Sequence, residues 1–165
     1  MRVYRLGAVP FARTRKAAFS GEGGLQASAR WHTAGHLIVY TAQSLSLAAL
    51  EILVHLKQTN NIQPFCAYSA EIPDALILKP DPLPPRWRSR IGVSRRFGDT
   101  WLEAKTSPAL LVPSVITPGE RNVLLNPAHP QFSPQWILTG PIAYTFDLRL
   151  LPVKKKIRSR QEHQS

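Results

Sequence analysis

The sequence predicts an α+β fold in which several short strands accompany one strong helix and one or two weaker ones. Three observations predict it. Short β-branched and aromatic runs recur along the chain, residues 45–57 form one apolar stretch of helical length, and strands and helices do not alternate regularly. A doubly wound parallel sheet would require that alternation. With 165 residues, the chain has room for one domain with its own core.

The N-terminal half supplies two predicted strands and the main helix. Residues 2–6, RVYRL, alternate well enough to be the first strand. Residues 13–29 are basic and then rich in glycine, and they predict a surface loop because they match neither glycine-rich phosphate-binding fingerprint. Residues 37–41, LIVYT, predict the second strand, which leads to Ser44, a favourable N-cap for the helix that follows.

The helix of residues 45–57 is apolar around most of its circumference, which predicts that it is buried. At about 100° per residue, Ser44, Ala48, Glu51 and His55 fall within one narrow stripe of it. Glu51 is therefore walled by aliphatic side chains, where a carboxylate must be paired, hydrogen-bonded or neutralised. Two interpretations stay open on these residues alone: a structural ion pair with an arginine, and a catalytic role.

The second half predicts further short strands between turns. Three strands are predicted after the main helix, at residues 65–72, 75–78 and 109–116. Pro113 interrupts the last of them, which indicates a sheet edge or a bulge. Residues 98–104, GDTWLEA, predict the start of a short helix. Residues 136–150 predict a final pair of strands broken at Gly140-Pro141.

The composition limits the kinds of partner and the cellular compartment that fit the chain. Lysine and arginine number 21 against 10 acidic residues, a formal net charge of +11, which fits nucleic acid, a phosphate-bearing small molecule or an acidic protein. Cys66 is the only cysteine, so a disulfide within the chain and a zinc site built on cysteines are excluded. No apolar run approaches the roughly 18 residues of a membrane-spanning helix. We expect a cytoplasmic protein that is neither exported nor bound to a membrane.

A cluster of arginines follows the proline-rich segment. Interleaved arginine and aromatic residues can follow a nucleic-acid backbone, whereas a solvated rim with its aliphatic stems packed on the surface has the same composition. Both interpretations stay open. The cluster surrounds Trp87 and Ile91 and consists of Arg86, Arg88, Arg90, Arg95 and Arg96.

Common mechanistic templates do not fit the chain. Ser114 has no G-x-S-x-G elbow, the five histidines lack zinc-ligand spacing, and no close acidic pair suggests a two-carboxylate glycosidase. No metal is therefore expected. The candidates that remain are Arg30, Tyr40 and Glu51, an arginine, a tyrosine and a glutamate on a predicted loop, strand and helix.

Several local motifs, in this order, resemble the RES-domain family. They are SGEGG at residues 20–24, ARW at 29–31, VYTAQSLSLAALEILVH at 39–55, GDTWL at 98–102 and VPSVITPGERNVLLNPAHPQF at 112–132. FDLRL at residues 146–150 resembles the closing strand of the family. The family is named after an arginine, a glutamate and a serine, which here would be Arg30, Glu51 and Ser114. The resemblance places the domain at residues 1–152, followed by a basic tail at residues 153–165.

The resemblance implies an ADP-ribosyltransferase-like fold, which is a split mixed β-sheet with a buried helix following the central strand. It also implies the toxin of a type II toxin–antitoxin system that depletes cellular NAD by cleaving its nicotinamide N-glycosidic bond, through hydrolysis or phosphorolysis. NAD would be a substrate, and no cofactor is expected. The implied partner is a helix-turn-helix antitoxin of the Xre type that covers the active site, and a homodimer is compatible with the family.

The residues suit that chemistry. Cleavage of the N-glycosidic bond passes through an oxocarbenium-like state, so the nearby carboxylate of Glu51 would stabilise it. The planar guanidinium of Arg30 suits a pyrophosphate, and Tyr40 could stack on nicotinamide or orient Glu51. The alternative function is a basic nucleic-acid-binding or RNA-acting toxin, although direct nucleic-acid binding is not expected from the resemblance.

Four further residues are predicted to bind the substrate. Arg5 matches a family arginine on the first strand and could also bind the pyrophosphate. Ser114 could donate to the ligand or to a catalytic side chain, or could bond its own backbone at a bulge. Asn126 and His129 match the NP-x-HP loop of the family, in which each is also a favourable turn residue. The chain departs from the family at His32, where many relatives have asparagine.

Overall fold

A computed structural model describes residues 1–56 and 64–150, in which seven strands form one sheet. The strands are β1 (Arg2–Ala8), β2 (Val39–Ala42), β3 (Phe65–Glu71), β4 (Ile77–Leu78), β5 (Ala109–Pro113), β6 (Arg121–Leu125) and β7 (Ile137–Tyr144). Their order is β4-β5-β6-β2-β1-β3-β7, so the second predicted strand is the central one. Every neighbouring pair is antiparallel except β4 and β5, which makes the sheet mixed.

The sheet is split beside its central strand. β1 and β2 meet at a single residue pair, Tyr4 with Ala42, whereas β1 pairs with β3 along its whole length. The guanidinium of Arg5 lies where the two strands diverge, and its Nη1 donates a hydrogen bond to the carbonyl oxygen of Tyr40 at 3.0 Å. The prediction of an α+β fold with a split mixed sheet is thus confirmed.

In the described part of the chain, four short or medium α-helices accompany the sheet. They are α1 (Arg15–Ala18), α2 (Gly23–Gln26), α3 (Leu45–Leu53) and α4 (Ile91–Ala104). As predicted, α3 follows the central strand and begins after Ser44, whose Oγ accepts a hydrogen bond from the N–H of Leu47 at 3.0 Å. It buries Leu47 and its two following alanines, while Leu50 on the opposite face is 39% exposed. The last predicted helical residue, Lys57, lies outside the described residues, as does the predicted basic tail.

The core is built on both faces of the sheet. Side chains alternate along each strand, so Leu111 and Val123 contribute to one face while Leu110 and Leu124 contribute to the other. On this second face, α3 packs over β1 and β3, and α4 packs over β5 and β6. The two helices therefore cover the two halves of the split sheet and leave a cleft between them.

The helix predicted at residues 98–104 begins earlier than expected. α4 starts at Ile91 and includes Arg95 and Arg96 of the arginine cluster. Its first half exposes Ile91 and Gly92, so it lacks the apolar pattern that marks a helix in sequence. Trp87, just before it, is partly buried and stacks on Trp31 with ring centroids 5.3 Å apart.

Three other strand predictions are wrong in detail. β5 is neither an edge strand nor bulged at Pro113, because it lies between β4 and β6. Pro113 is tolerated there because β4 is only two residues long and pairs with the start of β5. Residues 136–150 form one strand, β7, which continues through Gly140-Pro141 with register shifts against β3. The expected closing strand at residues 146–150 instead contains a 3-10 turn, Leu148–Leu150.

α4 makes an unusually close contact with the chain at Trp31. A Cβ atom built on Gly98 would overlap the carbonyl oxygen of Trp31, so only glycine allows the helix to approach this far. Gly98 is fully buried. The contact fixes the distance between α4 and the loop that carries Arg30.

The outer edge of β7 is covered by an arginine. The guanidinium of Arg15, at the start of α1, donates hydrogen bonds to the carbonyl oxygens of Ile137, Leu138 and Gly140 at 3.1 to 3.4 Å. β7 is the last strand of the sheet and exposes Leu138 and Ile142. In residues 1–56 and 64–150, no helix has the length and apolar character needed to cross a membrane.

Candidate active site

Glu51 lies in the last turn of α3 and faces the cleft between the two helices. Its Oε1 accepts two hydrogen bonds, from the Oγ of Ser114 at 3.0 Å and from the Nδ2 of Asn122 at 2.6 Å. Both donors are neutral. No ion pair within the described part of the chain involves Glu51, so the structural ion pair considered from the sequence is absent there.

Ser114 follows β5 and is almost fully buried. Its Oγ accepts hydrogen bonds from the N–H groups of Ile116 and Thr117, each at 3.1 Å. Because those groups occupy the oxygen's acceptor positions, its single proton points to Glu51. Ser114 thus performs two of the three roles considered for it, since it bonds the backbone of its own turn and donates to the candidate catalytic carboxylate.

Asn122, on β6, was not predicted as a site residue. Its amide donates to Glu51 through Nδ2, which fixes the orientation of the amide because Oδ1 would repel the carboxylate. Oδ1 is buried and has no hydrogen-bond partner among the described residues. A signal existed in the sequence. Residues 121–125, RNVLL, place one polar amide on the face that carries Leu124.

The cleft beside Glu51 contains a cavity of about 280 Å³. It brings together four of the predicted site residues, Arg5, Arg30, Tyr40 and Glu51, which come from a strand, a loop, the central strand and a helix. The remaining lining residues are Leu6, Ala29, Thr41, Ala42, Ala48, Ile52, His55 and Asn122. The small side chain of Ala48 keeps the space in front of the carboxylate open.

The loop that carries Arg30 is attached to α4. Ser94 Oγ donates to the carbonyl oxygen of Arg30, and Arg95 Nε donates to that of Ala29, each at 2.8 Å. The guanidinium of Arg30 donates through Nη1 to the carbonyl oxygen of Arg88 at 3.2 Å. Together with the contact at Gly98, these bonds place the Arg30 side chain beside the cavity.

Tyr40 links the same loop to the central strand. Its hydroxyl oxygen accepts a hydrogen bond from the N–H of Trp31 at 3.2 Å and lies 2.9 Å from His32 Nδ1. Burial raises the pKa of Tyr40 far above its ordinary value, and burial lowers the pKa of His32, so both groups are neutral at neutral pH. The hydroxyl bonds to the loop and not to Glu51, and Tyr40 also lines the cavity.

Arg5 is a half-buried cation whose buried Nε has no partner among the described residues. Its Nη1 bonds to Tyr40. Burial lowers the pKa of Arg5 to about 10, so the guanidinium is still charged at neutral pH. A buried, unneutralised charge is costly in the empty protein, and an anionic ligand beside it would remove part of that cost.

Comparison with known proteins identifies the family. The family profile described as the RES domain matches residues 2–147, which is most of the chain. The chain belongs to the RES-domain family. A relative named Toxin Res, from Yersinia enterocolitica, is 36% identical over 154 residues, which cover 91% of this chain and 99% of the relative. A relative from Sphingobium named as a Prs ADP-ribosylating toxin is 40% identical over 127 residues, covering 72% and 79% of the two chains.

A solved structure has the same fold as this RES domain. The crystal structure of the M. tuberculosis MbcT-MbcA toxin-antitoxin complex contains a chain that matches with a TM-score of 0.66 over 87% of this chain and 84% of that one. The sequence identity is 16%, so the likeness concerns the fold. It agrees with the predicted α+β fold built on a mixed sheet.

Within the RES domain, Glu51 and Ser114 bond to each other and Arg30 lines the same cavity. Asn126 and His129 are elsewhere. The amide of Asn126 donates to the carbonyl oxygen of Leu102 and accepts from the N–H of Ala128, and neither Asn126 nor His129 lines the cavity. His129 makes a local turn contact, whereas the buried Asn126 both shapes its own turn and joins that turn to the carbonyl oxygen of Leu102 in α4. His55, which fell in the predicted stripe with Glu51, does line the cavity.

No metal site is visible in the described part of the RES domain. Residues 1–56 and 64–150 contain no group of three or more histidine, cysteine, aspartate or glutamate side chains that lie close enough together to bind a metal ion.

Replacing Arg5 by methionine is expected to weaken the binding of an anionic ligand without lowering the stability of the fold. Methionine keeps an apolar stem but removes the charge, so we expect KM for an anionic substrate to rise on the order of tenfold or more. The free energy of unfolding should stay unchanged or rise, because an unneutralised buried cation is lost. Steady-state kinetics and urea unfolding measure the two effects. Arg2→Met on the same strand, where the side chain is exposed, is the control. An unaltered KM in Arg5→Met would contradict a role of Arg5 in binding an anionic substrate.

His36 links the Arg30 loop to α4 through both nitrogens of its ring, and the charge of that ring depends on pH. Its Nδ1 lies 3.1 Å from the carbonyl oxygen of Thr33 and its Nε2 lies 3.2 Å from Glu103 Oε1. These two acceptors, with Asp99, raise the pKa of His36, and the carbonyl makes the largest contribution. Both ring nitrogens therefore carry protons in the charged form.

The stability that His36 contributes should be fully present below its ordinary pKa of 6.5 and should be lost as the pH rises through the higher pKa of the folded state. We expect His36→Asn to lower the free energy of unfolding by about 1 kcal/mol or less near pH 6, and by less at a pH well above the raised pKa of the folded state. Urea unfolding at the two pH values tests this. A difference that does not change with pH would rule it out.

Proposed function

We propose that this RES domain is a toxin that cleaves the N-glycosidic bond between nicotinamide and ribose in NAD. One observation carries the proposal. The carboxylate of Glu51 is held through one oxygen by Ser114 and Asn122, in a cavity whose other charged lining residues include two arginines. The names of the two sequence relatives support the toxin assignment.

A single carboxylate is enough for this reaction. Nicotinamide in NAD is a pyridinium, so the electron pair of the breaking bond neutralises its ring nitrogen and no proton has to be donated. Ordinary glycosides need a second carboxylic acid to protonate the leaving oxygen. Positive charge develops on the ribose, and the preoriented carboxylate of Glu51 stabilises it more strongly in the transition state than in the bound substrate.

The other residues serve binding and orientation. Ser114 and Asn122 fix the carboxylate so that it need not reorganise during the reaction. Arg5 and Arg30 are suited to the pyrophosphate of NAD, because guanidinium groups bind phosphate oxygens through paired N–H donors. Tyr40 presents a neutral ring to the cavity, on which nicotinamide can stack.

The partner we propose is an antitoxin that covers this cleft. The support is indirect: the solved structure with the same fold is described as a toxin-antitoxin complex. The helix-turn-helix type of the antitoxin, and a homodimer of the toxin, are further proposals that follow from the family resemblance. Co-expression of the toxin with the neighbouring reading frame, followed by the same NAD assay, tests inhibition by the partner.

The proposal is tested by following NAD consumption by the purified chain, with the products separated by mass. Release of nicotinamide establishes the cleavage. The mass of the second product then identifies the acceptor, which is water if ADP-ribose forms and inorganic phosphate if ADP-ribose phosphate forms only in phosphate buffer. NAD that stays intact in all buffers would refute the proposed reaction.

A further inference from the structure

The arginine-rich segment that leads into α4 carries positive charge outside the cleft. Residues 84–98 contain five arginines and no acidic residue. Arg95 lines the cleft together with Glu51 and bonds to the Arg30 loop, so it is set apart from the others. The other four are exposed and line neither the cavity beside Glu51 nor its extension toward Arg95. We call them the arginine surface, which consists of Arg86, Arg88, Arg90 and Arg96.

The four arginines lie close together in the fold. The first three belong to one turn, in which the N–H of Arg90 donates to the carbonyl oxygen of Arg86 at 2.8 Å. Arg96 is five residues beyond the first residue of α4, so its Cα lies about 8 Å further along the helix axis. It is on the exposed side of that helix, with Gly92 and Thr100 four residues away in each direction. The charges are therefore concentrated at the N-terminal end of α4.

This concentration of charge is not neutralised within the part of the chain that the structure describes. There, none of the four arginines forms an ion pair with a carboxylate. The two carboxylates of α4 are bonded to the Arg30 loop instead. Asp99 accepts hydrogen bonds from the N–H and the hydroxyl of Thr33 at 2.8 and 2.7 Å. Glu103 lies 3.2 Å from Nε2 of His36. The guanidinium groups of the arginine surface thus remain available to an anionic partner.

The aromatic rings of the segment are directed to the core. Trp87 stacks on Trp31, and Phe97 meets the same indole edge to face with ring centroids 6.3 Å apart. Proteins that bind single-stranded nucleic acid combine a basic groove with aromatic rings on which the bases stack. Both rings of residues 84–98 are already used in packing. The arginine surface is therefore suited to a phosphate backbone and not to unpaired bases.

The surface also lacks the apolar centre of a protein–protein interface. Such centres are depleted in charged residues, whereas interfaces with DNA are more polar and much more positively charged. Ile91 is the one large apolar side chain that residues 84–98 expose. Duplex RNA is recognised largely through its 2′-hydroxyl groups, and the hydroxyl of Ser89 donates to the carbonyl oxygen of Arg86 instead of facing a ligand. Guanidinium groups bind phosphate oxygens through paired N–H donors.

We propose that the arginine surface binds the phosphate backbone of duplex DNA without reading its sequence. The inference concerns a surface outside the cleft and does not depend on the proposed reaction with NAD. Because phosphate contacts release counterions, up to four such contacts give a slope of log affinity against log salt concentration of up to about −4. It also decides between the two interpretations of the arginine cluster that the sequence left open.

The test is binding of the full chain to a labelled DNA duplex of about 20 base pairs, followed by fluorescence anisotropy over a range of salt concentrations. Replacing Arg90 and Arg96 together by glutamine removes two charges. Arg90 precedes α4 without a side-chain capping bond and Arg96 is exposed, so this variant should fold. We expect its Kd for DNA at low salt to rise on the order of tenfold, and the magnitude of the salt slope to fall by about 2.

Replacing Arg2 and Arg149 together by glutamine is the matched control, because it removes the same number of charges from arginines that are paired with Glu71 and Asp147. We expect its Kd for DNA to stay within about threefold of the unmodified chain. Equal weakening in both double variants would show that only the total charge matters, and would overturn the inference.

Three further results would also overturn it. The first is an unchanged Kd in the Arg90 and Arg96 variant, which is expected if the basic residues 153–165 alone bind DNA. The second is an affinity of the unmodified chain for DNA that is absent or independent of salt. The third is tighter binding of poly-glutamate or of an RNA duplex than of the DNA duplex, which would assign the arginine surface to an acidic protein or to RNA.

Discussion

Glu51→Gln is expected to reduce the turnover of NAD on the order of 10²- to 10³-fold. Glutamine has nearly the same shape, and its amide oxygen can still accept the hydrogen bonds from Ser114 and Asn122. The substitution removes the negative charge that stabilises the developing cation, and it turns the second carboxylate oxygen, Oε2, into an amide donor. Because that interaction strengthens in the transition state, kcat should fall much more than KM rises.

The measurement is initial-rate release of nicotinamide across a range of NAD concentrations. Glu71→Gln makes the same chemical change at the end of β3, outside the cleft, and should leave kcat unchanged. Thermal unfolding of Glu51→Gln should match the unmodified chain within a few degrees, which separates a catalytic loss from misfolding. Turnover within tenfold of normal in a folded Glu51→Gln variant would remove Glu51 from the mechanism.

Gly98→Ala is expected to produce the largest loss of stability among conservative substitutions in α4. The added methyl group overlaps the carbonyl oxygen of Trp31, so the helix must move away from the loop or the loop must shift. We expect a decrease in the free energy of unfolding of about 2–4 kcal/mol, the range for forced overpacking at a buried contact. For a chain of this size, that corresponds to a fall in Tm of about 5–15 °C.

Gly92→Ala in the same helix is the matched control. A Cβ atom there meets nothing within 4 Å, so alanine should stabilise the helix by up to about 1 kcal/mol through its better propensity. The two alanine substitutions therefore have opposite expected signs, and urea unfolding distinguishes them. Stabilisation by Gly98→Ala would show that α4 does not approach Trp31 this closely. The contact between Gly98 and Trp31 also fixes the position of the loop that carries Arg30. Gly98→Ala should therefore lower NAD turnover as well.

Local sequence patterns were sufficient to predict the strand, the N-cap and the helix that position Glu51. The β-branched run before Ser44, the N-cap itself and the apolar periodicity of the following helix place Glu51 correctly, because all three signals lie within about 20 neighbouring residues. The family resemblance added Ser114 and connected it with Arg30 and Glu51, which local patterns alone did not do. It also proposed Asn126 and His129 as substrate-binding residues, and neither of them lines the cavity beside Glu51.

The residues that were missed depend on contacts between distant segments. Asn122 reaches Glu51 only because β6 lies next to β2 in the sheet, 71 residues along the chain from the carboxylate. The early start of α4 is stabilised by Ser94 and Gly98 packing on the Arg30 loop, which no pattern within the helix encodes. The position of Arg5 depends on the single residue pair that joins β1 to β2.

The arginine on the outer edge of β7 has a consequence for how copies of the chain can meet. A terminal strand with free carbonyl groups and exposed aliphatic residues invites a second copy to extend the sheet, which is the first step toward strand-mediated aggregation. Arg15 occupies three of those acceptors and brings a positive charge to the same edge. Two copies approaching edge to edge would place like charges together and would have to displace both guanidinium groups. Arg15 therefore opposes the pairing of a second copy with β7 at this end of the sheet.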